Sequence, residues 1–514
     1  MERSAKSNGR KYGRIALLLI VITSLSKVFG FARDIILTNA YGAGMVADAY
    51  LSVLSIPDMF LDLFANTAMM GFVPIAIGKL NDSRDELNSF ATSVLKVLLG
   101  CAAIFTLLMT LFPGTVMNLL APGFEGAQRE LAIRFLRILS FTMLFRSITS
   151  VFHSYLSTMK YFVPAAFLGI TLDISIIAAI IISKRFDLVY LLPIGCVIGT
   201  FLQIILLMPF ALKKGLRFRK KAATFKEDIK ELLIMSIPAV LAVGLMQIST
   251  VFNKALASDM EMGAITMLNH SGKISFVVEN IIVSSIATVL YPLLSESHIK
   301  GDLENIRFLL GDAIDKLITF LLPASVGLAM LAQPIISLLF GHGEFTEQNV
   351  KTTSVLMILQ VIGILGIAVQ TVLSRALFSM KKIKLSIVIS LSLLATFLGL
   401  SYIFSRIGGL YGIALAVGTS YTVGGLVYYF VLNRICGGIN ARSTGITLIK
   451  SAVASAVMAC VVFLIMRFSP LSTIVDMMLS VGAGVAVYFA LAQILKLKHA
   501  SLKPIIGRLL KKRN

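Results

Sequence analysis

The chain has 514 residues, of which 57% are hydrophobic and only 14% charged, and its formal net charge is +21. A soluble domain carries roughly 25% charged residues, so a soluble globular class is excluded. The positive excess sits in short loops and at the two ends, which argues against a nucleic-acid partner.

Runs of about 20 apolar residues recur along the chain, each long enough to cross a bilayer as a helix. The first is expected over 14–38 and the second over 47–78. The first is not read as a removable signal peptide, because it has no small-residue cleavage site and a second apolar run follows directly. It nevertheless carries Lys27, Arg33 and Asp34. Spans three to six are expected over 90–112, 131–158, 162–183 and 189–212. The second half gives 230–257, 263–295, 308–331, 350–379, 383–405, 410–432, 449–467 and 473–495, for 14 in all. The expected fold is an all-α polytopic membrane protein with two pseudo-symmetric six-helix lobes and two C-terminal helices. The N-lobe is 1–212 and the C-lobe 230–432, with a basic cytoplasmic linker over 213–229 between them. Two extra helices and a basic tail occupy 433–514.

An even number of spans puts both ends on one side. Of the 47 Lys and Arg, 31 fall on the side of the two ends, six on the other and ten within spans. Cations accumulate in cytoplasmic loops, so both termini are expected in the cytoplasm. Cys101, Cys196, Cys436 and Cys460 show neither paired nor metal-ligand spacing, and the five histidines are scattered. No metal, cofactor or catalytic group is expected. No nucleotide loop or acid–base pair appears, so an enzyme is not expected either.

Three landmarks recur. "FVPIAIGKLNDSRDEL" answers "LYPLLSESHIKGDLEN", "LLAPGFEG" answers "LLFGHGEF", and "VFHSYLSTMK" answers "VLSRALFSMK", at offsets of 218, 219 and 221 residues. An offset of six spans keeps both copies in one orientation, which is a parallel repeat about the membrane normal; in such folds the substrate site is expected between the lobes.

The repeat makes spans one and two correspond to spans seven and eight, so Lys27, Arg33, Lys254 and Lys273 fall on related helices. A cation at mid-bilayer costs about 2.5–3.5 kcal/mol on insertion scales. The usual solution is a wet cavity, and a cationic cavity selects an anion. Guanidinium pairs well with phosphate oxygens, and ammonium acts as a point charge. The competing account is local pairing, of Arg33 with Asp34 or Asp48 and of Lys273 with Glu279. For Arg33 it is the weaker account, because Asp34 is expected to point elsewhere on the helix. Asp48, Asp58 and Asp62 are candidate counter-ions in span two, with helix capping as the alternative for Asp48.

"SLSKVFGFARDIILTNAYGAGMVADAY" (24–50) resembles the N-terminal signature of the MurJ/MviN family of lipid II flippases, within the multidrug/oligosaccharidyl-lipid/polysaccharide exporter superfamily. "IPDMFLDLFANTAMMGFVPI", "APGF", "MSIPAVLAVGLMQISTVFNKALAS", "LLFGHGEFT" and "LSRALFSMKKIKLS" extend the likeness in order over nearly the whole chain. The resemblance implies export of undecaprenyl-pyrophosphate-linked peptidoglycan precursor by alternating access. It implies that Lys27 and Arg33 line the central cavity, that Lys273 stands at a cavity arginine of the eighth helix, and that Asp48 is the acidic residue after "YGAG". The chain departs from the pattern at Lys27, where the family usually has Arg, and at Gly272 and Phe276, where acidic residues are usual. It departs again at Leu61 and Asp62, which replace a basic pair. A flippase of the same fold for another polyprenyl-linked oligosaccharide, of an exopolysaccharide or teichoic-type pathway, is the alternative; a drug exporter is a further one. The expected site is Lys27, Arg33, Asp48, Lys254 and Lys273. The expected partners are the lipid-linked glycan and membrane lipids, with no nucleic acid. A monomer in the bacterial plasma membrane is expected.

Overall fold

The computed structural model describes residues 2–218, 225–439, 441–469 and 473–499, and among them the regular structure is helical throughout. Part of the basic linker, 219–224, and the tail 500–514 lie outside the described residues. The first half holds α1 (Glu2–Tyr41), α2 (Met45–Phe60), a π-helical turn (Leu61–Asn66), α3 (Thr67–Asp82), α4 (Arg84–Leu111) and α5 (Pro113–Leu120). It continues with α6 (Gly126–Ser140), α7 (Thr142–Thr158), α8 (Val163–Ala166), α9 (Leu168–Phe186) and α10 (Leu191–Lys213). Then come α11 (Phe225–Ser258), α12 (Ala264–Ile299), α13 (Leu303–Met330), α14 (Ala332–Phe340) and α15 (Glu347–Val361). The last are α16 (Ile364–Ser379), α17 (Ile383–Ile435), α18 (Ala441–Phe468) and α19 (Thr473–Ile494).

Among the described residues, eight helices, with α8–α9 taken as one, are long and apolar enough to cross a bilayer, and the bent pair α15–α16 makes a ninth. The 53-residue α17 holds two expected spans, because Gly409 (φ 54°, ψ −132°) turns the chain in its middle. A residue with a Cβ rarely adopts that φ. The four other expected spans coincide with α1, α2–α3, α6–α7 and α11, which carry charges or breaks, so length and apolarity alone do not reach 14. Large apolar side chains face outward along the helices, Ile104, Leu107 and Leu111 of α4 among them. So much exposed apolar surface is what lipid, rather than water, accommodates.

The repeat extends to the order of helices. Helix α4 and helix α13 both have 28 residues. A short helix follows each, and a broken pair follows that: α6–α7 in one half, α15–α16 in the other. Their caps match as well: Ser83 Oγ accepts the Glu86 N–H at 3.1 Å, and Asp302 Oδ1 accepts the Asn305 N–H at 2.9 Å. Both breaks are tightened turns, in which the Phe141 N–H donates to the Ile138 carbonyl and the Gly363 N–H to the Gln360 carbonyl.

By its contacts the chain divides into two units, Met1–Thr266 with His342–Phe345, and Met267–Gly341 with Thr346–Asn514. In the first unit, Phe72, Phe90, Phe152, Tyr155 and Leu207 belong to one buried cluster. In the second, Tyr488 of α19 donates to the Thr319 carbonyl of α13 at 2.7 Å and meets Ser451 of α18 at 2.8 Å, binding three helices together. There α16 and α17 approach at backbone distance: a Cβ on Gly366 would stand 2.4 Å from the Tyr421 carbonyl oxygen, and one on Gly425 would stand 2.6 Å from that of Gly366. Small residues at such a seam let membrane helices pack closely.

Candidate anion-docking site

Helix α1 packs on α9 through a stripe that starts at Ser26, passes Gly30 beside Asp173 and ends at Tyr41, whose hydroxyl meets Ser183 Oγ at 2.7 Å. Arg33 lies on this stripe. Its Nη1 donates to Asp173 Oδ1 at 2.9 Å, and its Nε and Nη2 donate to Asp34 Oδ1 at 3.3 and 3.1 Å. The expectation that Asp34 points away from Arg33 is therefore corrected. Adjacent positions on a helix lie about 100° apart, and the long arginine stem folds back across that angle. The three side chains are 19%, 5% and 9% exposed for Arg33, Asp34 and Asp173. A guanidinium has five N–H donors; three are used here, so two remain for a further acceptor. Lys27, two turns earlier, is exposed, and among the described residues no carboxylate stands within 4 Å of it.

Asp48, 2% exposed, does other work. Its Oδ2 accepts the Gly263 N–H at 2.7 Å, and its Oδ1 accepts the Thr266 N–H at 2.8 Å and the Thr266 hydroxyl at 2.6 Å. It thus caps the start of α12, the helix that carries Lys273, rather than its own helix. A carboxylate at a helix N-terminus satisfies orphan donors and meets the positive end of the dipole. Gly263 (φ 91°) admits this contact, since a Cβ there would stand 2.4 Å from the Ala43 carbonyl oxygen. Lys254 of α11 also turns to α2 and donates to the Leu51 carbonyl at 2.7 Å. Lys273 is half-buried on α12, in the second unit. Glu279, weighed as its counter-ion, is buried on the same helix.

A second buried cation escaped the sequence reading. Arg146 of α7 is 5% exposed and donates to Asp58 Oδ1 at 2.7 Å and to the Pro57 carbonyl at 3.3 Å, just before the π-helical turn. Asp58 is thus a counter-ion, as the sequence suggested, but to Arg146. The pair borders a cavity of about 270 Å³ whose walls include Thr149, Ser150, His153 and Gln203. Asp173 also went unnoticed. An ionisable residue inside an expected span was the available signal for both. Of the expected set, then, Asp48 and Lys254 converge on the start of α2, while Arg33 belongs to the α1–α9 contact. Among the described residues no group of three His, Cys, Asp or Glu forms a metal site.

Helices of bilayer length that hold buried charges suit a membrane transporter, and known proteins resemble this chain. The family model described as "Lipid II flippase MurJ" matches residues 37–482. A protein of Thermotoga maritima named probable lipid II flippase MurJ is 29% identical over 488 residues, which is 95% of this chain and 97% of the relative. The solved structure "Lipid II flippase MurJ, inward closed conformation" superposes with a TM-score of 0.80 at 23% identity, covering 95% of this chain and 100% of the other. An inward-facing multidrug transporter of the MATE family shares the fold at 15% identity, with a TM-score of 0.68 over 82% of this chain and 98% of its own. This chain is a multi-pass membrane protein and belongs to the lipid II flippase MurJ family.

Proposed function

We propose that the protein moves lipid II, the undecaprenyl-pyrophosphate-linked peptidoglycan precursor, from the cytoplasmic to the outer leaflet of the bacterial inner membrane. It does so by exposing one binding site alternately to the two sides. The observation that carries this reading is Arg33: a guanidinium held in a bilayer-length helix by two carboxylates, with two N–H donors to spare. Those donors suit a diphosphate oxygen pair. Lys27, Lys254 and Lys273 add positive charge along the substrate's route, and Asp48 acts as a positioning residue by fixing the start of the helix that bears Lys273. The moving parts are the repeated lobes 1–212 and 230–432, and both termini lie in the cytoplasm. The chain works as a monomer, without nucleic acid, catalytic group or bound cofactor, drawing on the membrane potential or an ion gradient.

The relatives' names favour lipid II over another polyprenyl-linked glycan. The likeness to drug transporters is one of fold alone at 15% identity. The test is complementation of a bacterial strain depleted of its lipid II flippase. Growth with normal cell shape is expected, together with outer-leaflet lipid II in a labelling assay. Normal expression in the membrane without rescue overturns the reading.

A further inference from the structure

In the second unit, the first turns of α18 and the segment after α19 border an open cavity of about 330 Å³. Its polar walls are Arg442, Ser443, Thr447, Lys450, Lys496 and Lys498. Arg442, Ile446 and Lys450 follow at intervals of four on α18, so they share one face. Lys498 reaches Asp312 at 3.1 Å, and that carboxylate also holds Lys316 at 2.7 Å. Among the described residues, no carboxylate lies within 4 Å of Arg442, Lys450 or Lys496. Three like charges are therefore gathered around a space far larger than the ~10–15 Å³ that admits one water. Gathering them is unfavourable unless an anion joins them.

The apolar surroundings identify its source. Ile446 lines the cavity and is 44% exposed, while Ile449 of α18 and Ile494 at the end of α19 are 66% and 72% exposed. Basic residues at the rim of a lipid-facing apolar surface attract anionic headgroups, and basic pockets between membrane helices hold them.

We infer that this cavity binds the phosphate headgroup of an anionic phospholipid, whose acyl chains lie along the exposed apolar residues of α18 and α19. Arg442 and the two lysines supply charge and N–H donors, whereas the Ser443 and Thr447 hydroxyls are already engaged, with Asp315 Oδ2 at 3.2 Å and the Ser443 carbonyl at 3.0 Å. A free phosphate ion shares the headgroup chemistry but has no use for the isoleucines.

The test is native mass spectrometry of the full chain in non-ionic detergent. It is titrated with phosphatidylglycerol, with phosphatidylcholine of the same acyl chains, and with inorganic phosphate. At least tenfold preference for phosphatidylglycerol is expected over phosphatidylcholine. Removing one cation is worth about fivefold, and three on the order of 100-fold, at low ionic strength. The triple variant Arg442→Gln/Lys450→Gln/Lys496→Gln therefore loses the tightest site, whereas Lys213→Gln/Lys214→Gln, at the end of α10, keeps it. If the triple variant fails to fold, Arg442→Gln and Lys450→Gln are titrated singly, with a fivefold loss expected in each. Unchanged binding in the variants overturns the proposal. So does equal binding of phosphatidylcholine, which makes the site one for acyl chains. Displacement of the lipid by inorganic phosphate at equal concentration also overturns it, in favour of a free-phosphate site.

Discussion

Arg33 binds two carboxylates, so its removal has two separable effects. Arg33→Ala leaves Asp34 and Asp173 without their cation, and breaking a buried pair costs about 3–5 kcal/mol. It also removes the donors proposed to face the diphosphate. The two effects part in Arg33→Ala/Asp173→Asn, where Asp34 stays ionised but the cluster regains its original net charge. This double variant is expected to recover membrane abundance, read by immunoblot, and to leave a flippase-depleted strain unrescued; rescue by it would show that Arg33 serves only the α1–α9 contact. Asp48 offers a graded case. Thr266→Ala removes one of its three hydrogen bonds, worth about 1 kcal/mol, whereas Asp48→Ala removes all three and costs roughly 3 kcal/mol. Thermal denaturation of the purified variants should rank wild type above Thr266→Ala above Asp48→Ala. Equal melting of the two variants would mean that the cap on α12 is not what Asp48 contributes.

At the scale of helices, the seam between α16 and α17 is where one methyl group matters most. Gly366→Ala drives a Cβ toward the Tyr421 carbonyl, 2.4 Å away, and backbone rather than a mobile side chain blocks it. Overpacking of this kind costs typically about 1–3 kcal/mol. A drop in melting temperature is expected for Gly366→Ala but not for Gly399→Ala, which meets nothing within 4 Å. Most helices were legible in the sequence, because a run of some 20 apolar residues is a strong signal. The breaks at Phe141 and Gly363 were not, since neither has a proline or a cluster of turn residues beside it. The turn at Gly409 was anticipated as a gap between spans, where "SRIGGLYG" interrupts the apolar run. Ionisable residues within the helices were legible as types but not as pairs. Asp48 and Thr266 are 218 positions apart, and nothing in either segment names the other. The pairing of Arg33 with Asp34 was misjudged because helical angle was weighed without side-chain reach.

For the molecule as a whole, the uneven distribution of Lys and Arg makes a prediction about sidedness. With the four native cysteines replaced, Ser4→Cys and Ser501→Cys are expected to resist a membrane-impermeant thiol reagent in intact cells, whereas Asp187→Cys, in the loop after α9, is labelled. Labelling of either end would reverse the orientation or the parity of the spans. The broken pairs α6–α7 and α15–α16 bear on the same scale. A tightened turn at corresponding points gives the two halves the same joint. Each copy is then a built-in control for its twin: an alteration of the joint at Phe141 alone leaves its counterpart at Gly363 in native form. The asymmetry so created would reveal whether the two joints flex in step.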